Sequence, residues 1–294
     1  MTYSIVARDR ESGQLGVAVQ SHYFSVGSVV PWARPGVGAI ATQAMCQITY
    51  GPKGIELMGA GVSAPDALAQ LLGEDAGAAS RQVAMVDAQG RAAAHTGAAT
   101  IPSAGHIVGD QVSCQGNIMA SERVWPAMLE AYEASSGPLY RRLLAALDAA
   151  EAEGGDVRGR QSVAILVVPG EGEAWESELE LRVEDHPEPL VELRRLIDIH
   201  EAYALANEGD ELITAGDHDA AATKFQQALA LSPGNHELMF WAGLSAAHGG
   251  ELDGGLALVR AAIAIQPGWE GLLPKLSPDV MPSAPVVAAA LGLT

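Results

Sequence analysis

Thr2 combines the two groups that a self-activating nucleophile needs, because it directly follows the initiator Met1. A small second residue is the type from which methionine aminopeptidase removes Met1, which would leave Thr2 with a hydroxyl and a free α-amine. An α-amine has a pKa of about 7.7–8.0, so near neutral pH much of it is uncharged and can accept the hydroxyl proton. The predicted chemistry is attack of Thr2 on an amide carbonyl. If Met1 is retained, that nitrogen is an amide without basicity, and Thr2 is simply a β-branched residue that begins a strand.

Asn117 is the candidate donor for the oxyanion that develops when an amide carbonyl is attacked. It follows Gln115 and Gly116 at the end of a predicted strand, and its side-chain amide is a neutral donor at any pH. Each preorganised donor of this kind contributes on the order of 2.7–4 kcal/mol to lowering the barrier. The alternative is that Asn117 adopts a turn conformation and caps a helix over residues 121–134.

Arg160 stands directly before an apolar run that is typical of a buried strand. Its guanidinium could bind a substrate carboxylate through a bidentate fork, or it could orient the amine and hydroxyl of Thr2. The alternative is an ion pair with Asp156 or Asp110. Thr2, Asn117 and Arg160 are therefore the predicted catalytic residues.

Four further polar residues are the candidate substrate contacts: Ser21, His22, Gln43 and Gln115. Ser21 and His22 follow the second predicted strand, which lies opposite the amino terminus if the first two strands form a hairpin. Gln43 closes the third strand. A single histidine such as His22 is more often structural than catalytic.

Other nucleophiles and metal sites have weaker support in the sequence. Cys46 and Cys114 lie in apolar stretches without a neighbouring histidine, so buried reduced thiols are expected. His95 and His106 are eleven residues apart and lack a recognisable third ligand, which argues against a metal site. The sequence contains no GxSxG motif, and no GxGxxG or GxxxxGK[ST] motif follows a predicted strand. We therefore predict neither a metal nor a cofactor.

The composition narrows the class of protein. The 294 residues are 48% hydrophobic and 18% charged, which is typical of a globular chain and not of a disordered one. With 17 Lys and Arg against 36 Asp and Glu, the formal net charge is −19, which argues against nucleic acids and anionic membranes as partners. The amino-terminal segment carries charges and the chain has no long apolar run, so neither a signal peptide nor a membrane span is expected. We predict a cytoplasmic protein.

The elements that must position these residues change in character near residue 190. Short Val-, Ile- and Ala-rich runs bounded by Gly, Pro or Asp predict strands over 3–7, 15–21, 37–42, 82–86 and 162–168. Turn residues at 9–13 and 87–90 predict hairpins. Helices are predicted over 66–72, with Ser63 as N-cap, and over 122–134 and 139–153. Strands interrupted by paired helices, rather than strict βαβ units, predict an α+β fold.

Beyond residue 190 the pattern is helical and recurs every 34 residues. The recurring pairs are Gly209 and Gly243, Gly216 and Gly250, Asp219 and Asp253, Ala228 and Ala262, and Pro233 and Pro267. This period, together with Ala221 and Phe225, resembles two tetratricopeptide repeats, although Val259 stands where an aromatic is usual in the second copy. Two repeats need neighbours that bury their apolar faces, so a leading helix over 190–206 and the apolar tail 286–293 are expected to cover them.

Five separated segments carry a resemblance to a known family. They are TYSIVARD at 2–9, GVAVQS at 16–21, GVGAIATQ at 36–43, QGN at 115–117 and GGDVRGRQS at 154–162. In this order they resemble the bacterial domain of unknown function 1028 over about residues 2–190. That family is similar to the N-terminal-nucleophile (Ntn) hydrolases, which implies two antiparallel sheets between helix layers. The resemblance also implies amide hydrolysis by the amino-terminal residue, here Thr2.

We therefore predict an α+β chain with a four-layer αββα Ntn-hydrolase-like sandwich over 1–190 and an all-α tetratricopeptide-like module over 191–294. Nine acidic residues against the single Arg182 within 171–192 predict a solvated connecting segment. Two functions stay open. One is an amidohydrolase that cleaves a small amide or acyl-amino compound without a cofactor. The other is a non-catalytic protein that binds a small ligand and associates with a partner protein or with itself through 191–294.

Overall fold

The computed structural model describes residues 2–279 and 281–293. Met1 lies outside the described residues, and so does the prediction that it is removed. The chain divides into two compact units, with the boundary between Arg194 and Arg195. Each unit has hydrophobic clusters of its own.

The described part of the first unit contains ten strands in two antiparallel sheets. They are β1 (Thr2–Arg8), β2 (Leu15–Ser21), β3 (Pro31–Arg34), β4 (Gly38–Ala44), β5 (Arg81–Asp87), β6 (Ala92–Thr96), β7 (Gly105–Gly109), β8 (Val112–Asn117), β9 (Ser162–Val168) and β10 (Leu179–Val183). The larger sheet has the order β10-β9-β2-β1-β8-β7, and the smaller sheet has the order β3-β4-β5-β6. The amino-terminal strand therefore lies in the middle of the larger sheet, between β2 and β8.

β1 and β2 form the hairpin that the sequence predicts. The Asp9 carboxylate fixes its turn, since Asp9 Oδ1 accepts a hydrogen bond from the backbone N–H of Ser12 at 2.8 Å. Gly13 completes the turn with a φ of 74°, a conformation that residues with a Cβ rarely adopt. The register of the two strands brings Thr2 and Ser21 together at the open end of the hairpin.

The two sheets pack face to face. Alternate residues of β1, β2, β4 and β5 point into the layer between them, as the period of two predicts. The buried cluster at one end of this layer includes Val6, Leu15, Val17, Val19, Ala39, Ala41, Ala84 and Val86. Small alanines of the smaller sheet thus meet valines of the larger sheet.

Four helices cover the outer faces of the two sheets: α1 (Tyr50–Gly59), α2 (Ala64–Glu74), α3 (Val124–Ala134) and α4 (Leu139–Ala152). α1 and α2 pack on the smaller sheet, where Ile55 and Leu68 join a cluster with Met85. α3 and α4 pack on the larger sheet. Leu143 of α4 comes so close that a Cβ at Gly16 would lie 2.7 Å from its Cδ1. The first unit is thus an αββα arrangement, and the predicted α+β class is confirmed.

Two helices of the first unit test the predicted helix starts. The backbone N–H of Asp66 donates to Ser63 Oγ at 3.2 Å, so the predicted N-cap of α2 is confirmed. α3 begins at Val124 and not at residue 122, because the preceding turn is held by a hydrogen bond from the backbone N–H of Arg123 to Ser121 Oγ at 3.0 Å.

The acidic segment 171–192 is not only a solvated connection. It contains β10, which pairs with β9 at the edge of the larger sheet. Leu179 and Val183 are buried in this strand, whereas Glu180 between them is exposed. The prediction of a solvated connection rests on the high charge of this segment. It is wrong here because the segment also contains a short alternation of apolar and polar residues, which is typical of a strand.

The second unit is helical. Its helices are α5 (Pro189–Ala215), which begins before the boundary, α6 (His218–Leu231), α7 (His236–His248), α8 (Leu252–Ile265), α9 (Gly268–Leu272) and α10 (Ala284–Leu291). The leading helix predicted over 190–206 extends to Ala215 and includes Gly209, against which the Phe225 ring packs. None of the described helices, including the 27 residues of α5, has the length and apolarity needed to cross a membrane.

The apolar tail covers one end of the repeats, as predicted. Val287 and Ala288 of α10 belong to the same buried cluster as Phe240, Leu244 and Val259 of α7 and α8. A second cluster, around Phe225 of α6, lies nearer the start of the unit. The tail therefore buries the apolar face that the second repeat would otherwise expose.

Candidate functional site

A layer of polar side chains fills one end of the space between the two sheets. In the larger sheet, Ser21, Thr2 and Asn117 lie side by side at the ends of β2, β1 and β8. The smaller sheet contributes Gln43 and Gln82, which are opposite each other on β4 and β5. All five are at most 6% exposed. The structure thus brings together four residues selected from the sequence and adds Gln82, which was not selected.

Gln82 fixes the direction of the amides in this polar layer. Its Nε2 donates to the carbonyls of Gly105 at 3.0 Å and Gly116 at 2.8 Å, and a backbone carbonyl can only accept. Its Oε1 therefore faces the other way, where it accepts from Gln43 Nε2 at 2.7 Å and from Asn117 Nδ2 at 2.9 Å. Two backbone carbonyls thus determine which atoms of three side-chain amides act as donors.

Thr2 is held through both its main chain and its side chain. Gln43 Nε2 and Asn117 Nδ2 each donate to the Thr2 carbonyl oxygen at 3.3 Å. Thr2 Oγ1 lies 3.0 Å from Ser21 Oγ. Since Asn117 also donates to Gln82, both of its N–H groups are engaged. Asn117 does not cap α3, which has no side-chain cap.

A second row of polar residues lies behind Thr2 in the same layer. Ser113 Oγ donates to Gln115 Oε1 at 2.8 Å, and Gln115 Nε2 donates to Ser4 Oγ at 2.7 Å. Ser4 Oγ in turn donates to Gln43 Oε1 at 2.7 Å. Because Gln43 donates to Thr2, all these hydrogen bonds run in one direction and end at Thr2. Gln115, selected as a substrate contact, is fully buried in this row.

The polar layer reaches the surface at His106. Gln82 Nε2, whose two N–H groups donate to the Gly105 and Gly116 carbonyls, also lies 2.9 Å from Thr96 Oγ1. Thr96 Oγ1 lies 2.8 Å from His106 Nδ1. Burial, and secondarily the neighbouring His95, lowers the pKa of His106 and favours its neutral form.

The two histidines that were weighed as metal ligands have separate partners. His95 Nε2 lies 2.9 Å from the Ala78 carbonyl oxygen, whereas His106 is bonded to Thr96. Across the part of the chain that the structure describes, His, Cys, Asp and Glu side chains form no group of three that could hold a metal ion.

An open cleft of about 320 Å³ adjoins Thr2. Its polar lining consists of Thr2, Gln43, Cys46 and Arg81. Its apolar lining consists of Tyr23, Val26, Val29, Val30, Ala44, Met45 and Ile48. Thr2 and Gln43 belong both to the polar layer and to the cleft wall, so a molecule bound in this cleft would contact Thr2.

Arg81 brings a charge to the cleft wall, but this charge is paired. Its Nε donates to Asp75 Oδ2 at 2.8 Å and its Nη1 donates to the Met45 carbonyl at 2.6 Å. The hydrogen bond from Arg81 lowers the pKa of Asp75 to about 2. Burial, followed by the charge of Asp75, raises the pKa of Tyr50 to about 12. Arg81 and Asp75 together therefore add little net charge to the cleft.

Arg160 is bound by two carboxylates. Its Nε donates to Glu151 Oε1 at 2.5 Å, and its Nη1 contacts Glu188. The alternative that Arg160 forms an ion pair is thus confirmed, but the predicted partners are wrong. Asp156 and Asp110 are paired with other arginines. Glu151 precedes Arg160 by 9 residues and Glu188 follows it by 28, and the fold brings both carboxylates to one guanidinium.

Glu151 connects Arg160 to the strand that carries Thr2. The Tyr3 hydroxyl donates to Glu151 Oε2 at 2.7 Å, and it also lies 2.5 Å from the side-chain amide of Gln20. One hydroxyl proton cannot serve two acceptors, and the carboxylate can only accept. We therefore assign the Gln20 amide with its NH₂ toward the Tyr3 oxygen, which gives a partner to a nitrogen otherwise buried without one.

His22 is turned toward the segment 154–162. Its backbone N–H donates to Asp156 Oδ2 at 3.0 Å. Its ring Nδ1 is buried, and the described residues offer it no hydrogen-bond partner. His22 is thus tied to Asp156, whereas its neighbour Ser21 contacts Thr2.

The two cysteines have different surroundings. Cys114 is fully buried, as predicted, and burial raises the pKa of its thiol. Cys46 is only half-buried and lines the cleft, where its Sγ donates to the Thr42 carbonyl at 3.3 Å. The prediction of a buried thiol is wrong for Cys46, because β4 ends at Ala44 and the chain then leaves the core.

Two residues with left-handed backbone lie at the ends of strands of the polar layer, one as the last residue of β4 and one directly after β8. Ala44 has a φ of 67° and Ile118 a φ of 56°. Such a φ is rare for an alanine and rarer still for a β-branched residue, so it indicates local strain. These residues directly follow Gln43 and Asn117, the two side chains that hold Thr2. The strain therefore lies where the Thr2 contacts are made.

Three residues of the site, Ser4, Gln82 and Arg81, were not predicted from the sequence. Ser4 and Gln82 have a detectable signal, since each is a polar residue at an inward-facing position of a predicted strand. Arg81 has none, because its contact with Asp75 depends on how the segment after α2 folds back.

Two different protein families match two separate segments of the chain. Residues 2–193 match the model of a family of unknown function, DUF1028, and residues 207–268 match that of the tetratricopeptide repeat. A crystal structure of a Silicibacter pomeroyi protein described by the same DUF1028 family is similar, with a TM-score of 0.61 and 33% sequence identity. This similarity covers 67% of this chain and 87% of that chain. No curated protein matches the chain significantly.

Proposed function

This chain belongs to the DUF1028 family, and on that premise we propose that it is an amidohydrolase of the Ntn type, with Thr2 as nucleophile after Met1 removal. The position of Thr2 is the observation that supports the proposal most. Thr2 lines an open cleft, while two buried amides hold its carbonyl. A nucleophile must be both accessible to substrate and fixed in orientation. Loss of Met1 is required, because the α-amine serves as the base.

In the proposed reaction, Thr2 Oγ1 attacks the carbonyl carbon of a small amide while its proton passes to the α-amine. The electron pair of the carbonyl moves onto the substrate oxygen. When this tetrahedral species collapses, the C–N bond breaks and the leaving nitrogen takes the proton from the α-ammonium group. An ester on Thr2 is left. Water attacks the ester and gives a proton to the α-amine, which returns it to Oγ1 as the C–O bond breaks and the acid leaves.

The neighbouring residues have positioning roles in this proposal. Ser21 orients the Thr2 hydroxyl, and Gln43 and Asn117 hold the Thr2 main chain. The oxyanion role of Asn117 requires one N–H to exchange its bond to the Thr2 carbonyl for a bond to the substrate oxygen. Arg160 acts through the carboxylate that contacts Tyr3, and so supports the amino-terminal strand.

Intact mass and two variants of Thr2 test the proposal. The purified chain should lack Met1. Thr2→Ala should lower the hydrolysis of any amide that the wild type cleaves by about 10³-fold or more, while its Tm falls by only about 2–4 °C. Thr2→Ser, which keeps a hydroxyl, is the matched control and should retain activity. A homogeneous chain with Met1, or unchanged turnover in Thr2→Ala, would overturn the assignment.

A second function is proposed for residues 191–294. Tetratricopeptide repeats generally mediate protein–protein contacts, and residues 207–268 match them. A groove of about 680 Å³ in this unit is lined by residues that include Tyr203, Asp210, Glu237 and Trp241. We propose that the unit binds a partner protein or a second copy of the chain. Light scattering of the full chain over a range of concentrations distinguishes these, since a concentration-dependent dimer supports self-association and a constant monomer points to a different protein.

The remaining alternative for the first unit is ligand binding without turnover. It is favoured by one observation, namely that both N–H groups of Asn117 already have acceptors. The Thr2→Ala comparison decides between the two, because a non-catalytic protein would bind amides equally well with either residue and would release no product.

A further inference from the structure

The cleft beside Thr2 exposes more apolar surface than a small polar substrate would need. Tyr23, Met45 and Ile48 stand in its wall, and their exposed fractions are 54%, 61% and 43%. Deeper in the cleft, Val26 and Val30 are 1% and 3% exposed. Large apolar side chains left contiguous at a surface mark a place where an apolar group binds.

The polar side chains of the cleft are few, namely Thr2, Gln43, Cys46 and Arg81. Thr2 and Gln43 stand where the polar layer meets the cleft, and the charge of Arg81 is paired with Asp75. A mostly apolar pocket with a few placed polar groups is typical of small-molecule sites, which have volumes of about 300–1,000 Å³. The volume of about 320 Å³ falls at the lower end of that range.

The apolar wall is held in place before any ligand binds. Ser162 Oγ donates to the Tyr23 carbonyl at 2.5 Å and accepts from the backbone N–H of Val26 at 3.0 Å. One buried hydroxyl thus anchors the segment that carries Tyr23, Val26 and Val29. A preformed wall loses little conformational freedom on binding, which favours affinity.

We infer that the cleft binds the acyl group of the substrate, and that this group is apolar. The substrate class is therefore an amide of a short or medium-length aliphatic or aryl-aliphatic acid. The inference rests on the proposed function. In the ester intermediate the acyl carbon is attached to Thr2 Oγ1 after the amine has left, so a pocket continuous with Thr2 suits the retained acyl group.

A homologous series of chromogenic amides tests the inference. N-acyl 4-nitroanilides from acetyl to octanoyl would be compared by kcat/KM. Each buried CH₂ is worth about 0.8 kcal/mol, so kcat/KM should rise by up to about fourfold per added CH₂ until the cleft is filled. A second series keeps the acetyl group and lengthens an N-alkyl chain, and it should show no such rise. A flat acyl series, or a rise only in the N-alkyl series, overturns the inference.

Variants at the exposed rim assign the effect to this cleft. Met45→Gln and Ile48→Thr keep approximate shape but remove apolar surface, and both side chains are exposed enough to leave folding intact. Together they should reduce the octanoyl-to-acetyl ratio of kcat/KM by about tenfold. Ile101→Thr is the matched control, since Ile101 is 54% exposed and lies outside the cleft lining. A ratio that falls equally in the control contradicts the assignment.

Binding to the Thr2→Ala protein separates failure of this inference from failure of the proposed function. The same anilides would be titrated by calorimetry. If the wild type hydrolyses no amide but the affinity of Thr2→Ala still rises with acyl length, the hydrolase proposal fails and the apolar cleft stands. If amides are hydrolysed without length dependence, the hydrolase proposal stands and the inference fails. If neither hydrolysis nor length-dependent binding occurs, both fail.

Discussion

The two ends of the space between the sheets are built from the same strands but hold opposite kinds of side chain. On β1, Val6 lies at the apolar end and Thr2 at the polar end. On β5, Val86 and Gln82 occupy the corresponding places. Burial of apolar area stabilises the first end without directional requirements, whereas the second end is stable only if each donor meets an acceptor. One layer thus provides both a core and a fixed constellation of polar groups.

The two ends of this layer should differ in their tolerance of substitutions. An apolar end tolerates changes that conserve volume, because packing is not directional. A buried polar network is much less tolerant, since the loss of one member leaves several partners unsatisfied. Three predictions test this difference.

The largest effect on stability is expected for Gln82→Leu. The substitution leaves the carbonyls of Gly105 and Gly116, and one N–H each of Gln43 and Asn117, without their partner. Each unsatisfied buried group costs about 1–3 kcal/mol, so the free energy of unfolding should fall by at least about 3 kcal/mol.

Urea unfolding measures this change, and Leu15→Met at the apolar end is its control. Leu15 is fully buried, and a volume-conserving change there should cost less than about 1.5 kcal/mol. Equal costs for the two variants would show that the two ends do not differ in tolerance.

A smaller effect is expected when one hydroxyl is introduced at the apolar end, or one hydroxyl is replaced by a methyl group at the polar end. Val17→Thr keeps the shape of the side chain and buries a hydroxyl among apolar residues, so it should cost about 1–3 kcal/mol. Thr2→Val is the reverse exchange at the polar end. It should abolish hydrolysis while changing stability by only about 1 kcal/mol, because it removes the hydroxyl contact with Ser21. Thermal unfolding and turnover would be measured on both, and an active Thr2→Val protein contradicts the prediction.

The smallest effect is expected at the Arg81–Asp75 pair beside the polar end. The folded-state pKa of Asp75 is lowered to about 2 from its usual 3.8, so the pair stabilises the fold fully above 3.8 and progressively less as pH falls toward 2. Asp75→Asn should cost about 1 kcal/mol or less near pH 7. Urea unfolding of both proteins at several pH values should show this difference shrinking in acid, and a constant difference would contradict the role of the pair.

The features predicted from sequence are those with a local pattern. β2 and β9 have the predicted bounds, and β1 differs by one residue at each end, because period-two alternation and turn residues define them. The 34-residue spacing indicates the tetratricopeptide repeats, and the family follows from five short segments. The proximity of Thr2 and Ser21 follows directly from the predicted hairpin.

Features that depend on distant parts of the chain were not predicted. α1 contains Gly51, Pro52 and Gly54, which are poor helix formers, so its local pattern does not favour a helix. In the fold these glycines are useful, because a Cβ at Gly51 or Gly54 would collide with Trp32 or Ile40 of the smaller sheet. The contacts of Gln82 likewise require two sheets to be stacked in a particular register, which no local pattern specifies.

The one-way series of hydrogen bonds from Ser113 to Thr2 also produces an electric field. Each hydroxyl or amide in the series is a dipole, and the donors all point toward Thr2, so the positive ends face the amino terminus. A positive potential at that place disfavours a further positive charge. That potential instead stabilises the partial negative charge of the Thr2 carbonyl oxygen, at which the series ends.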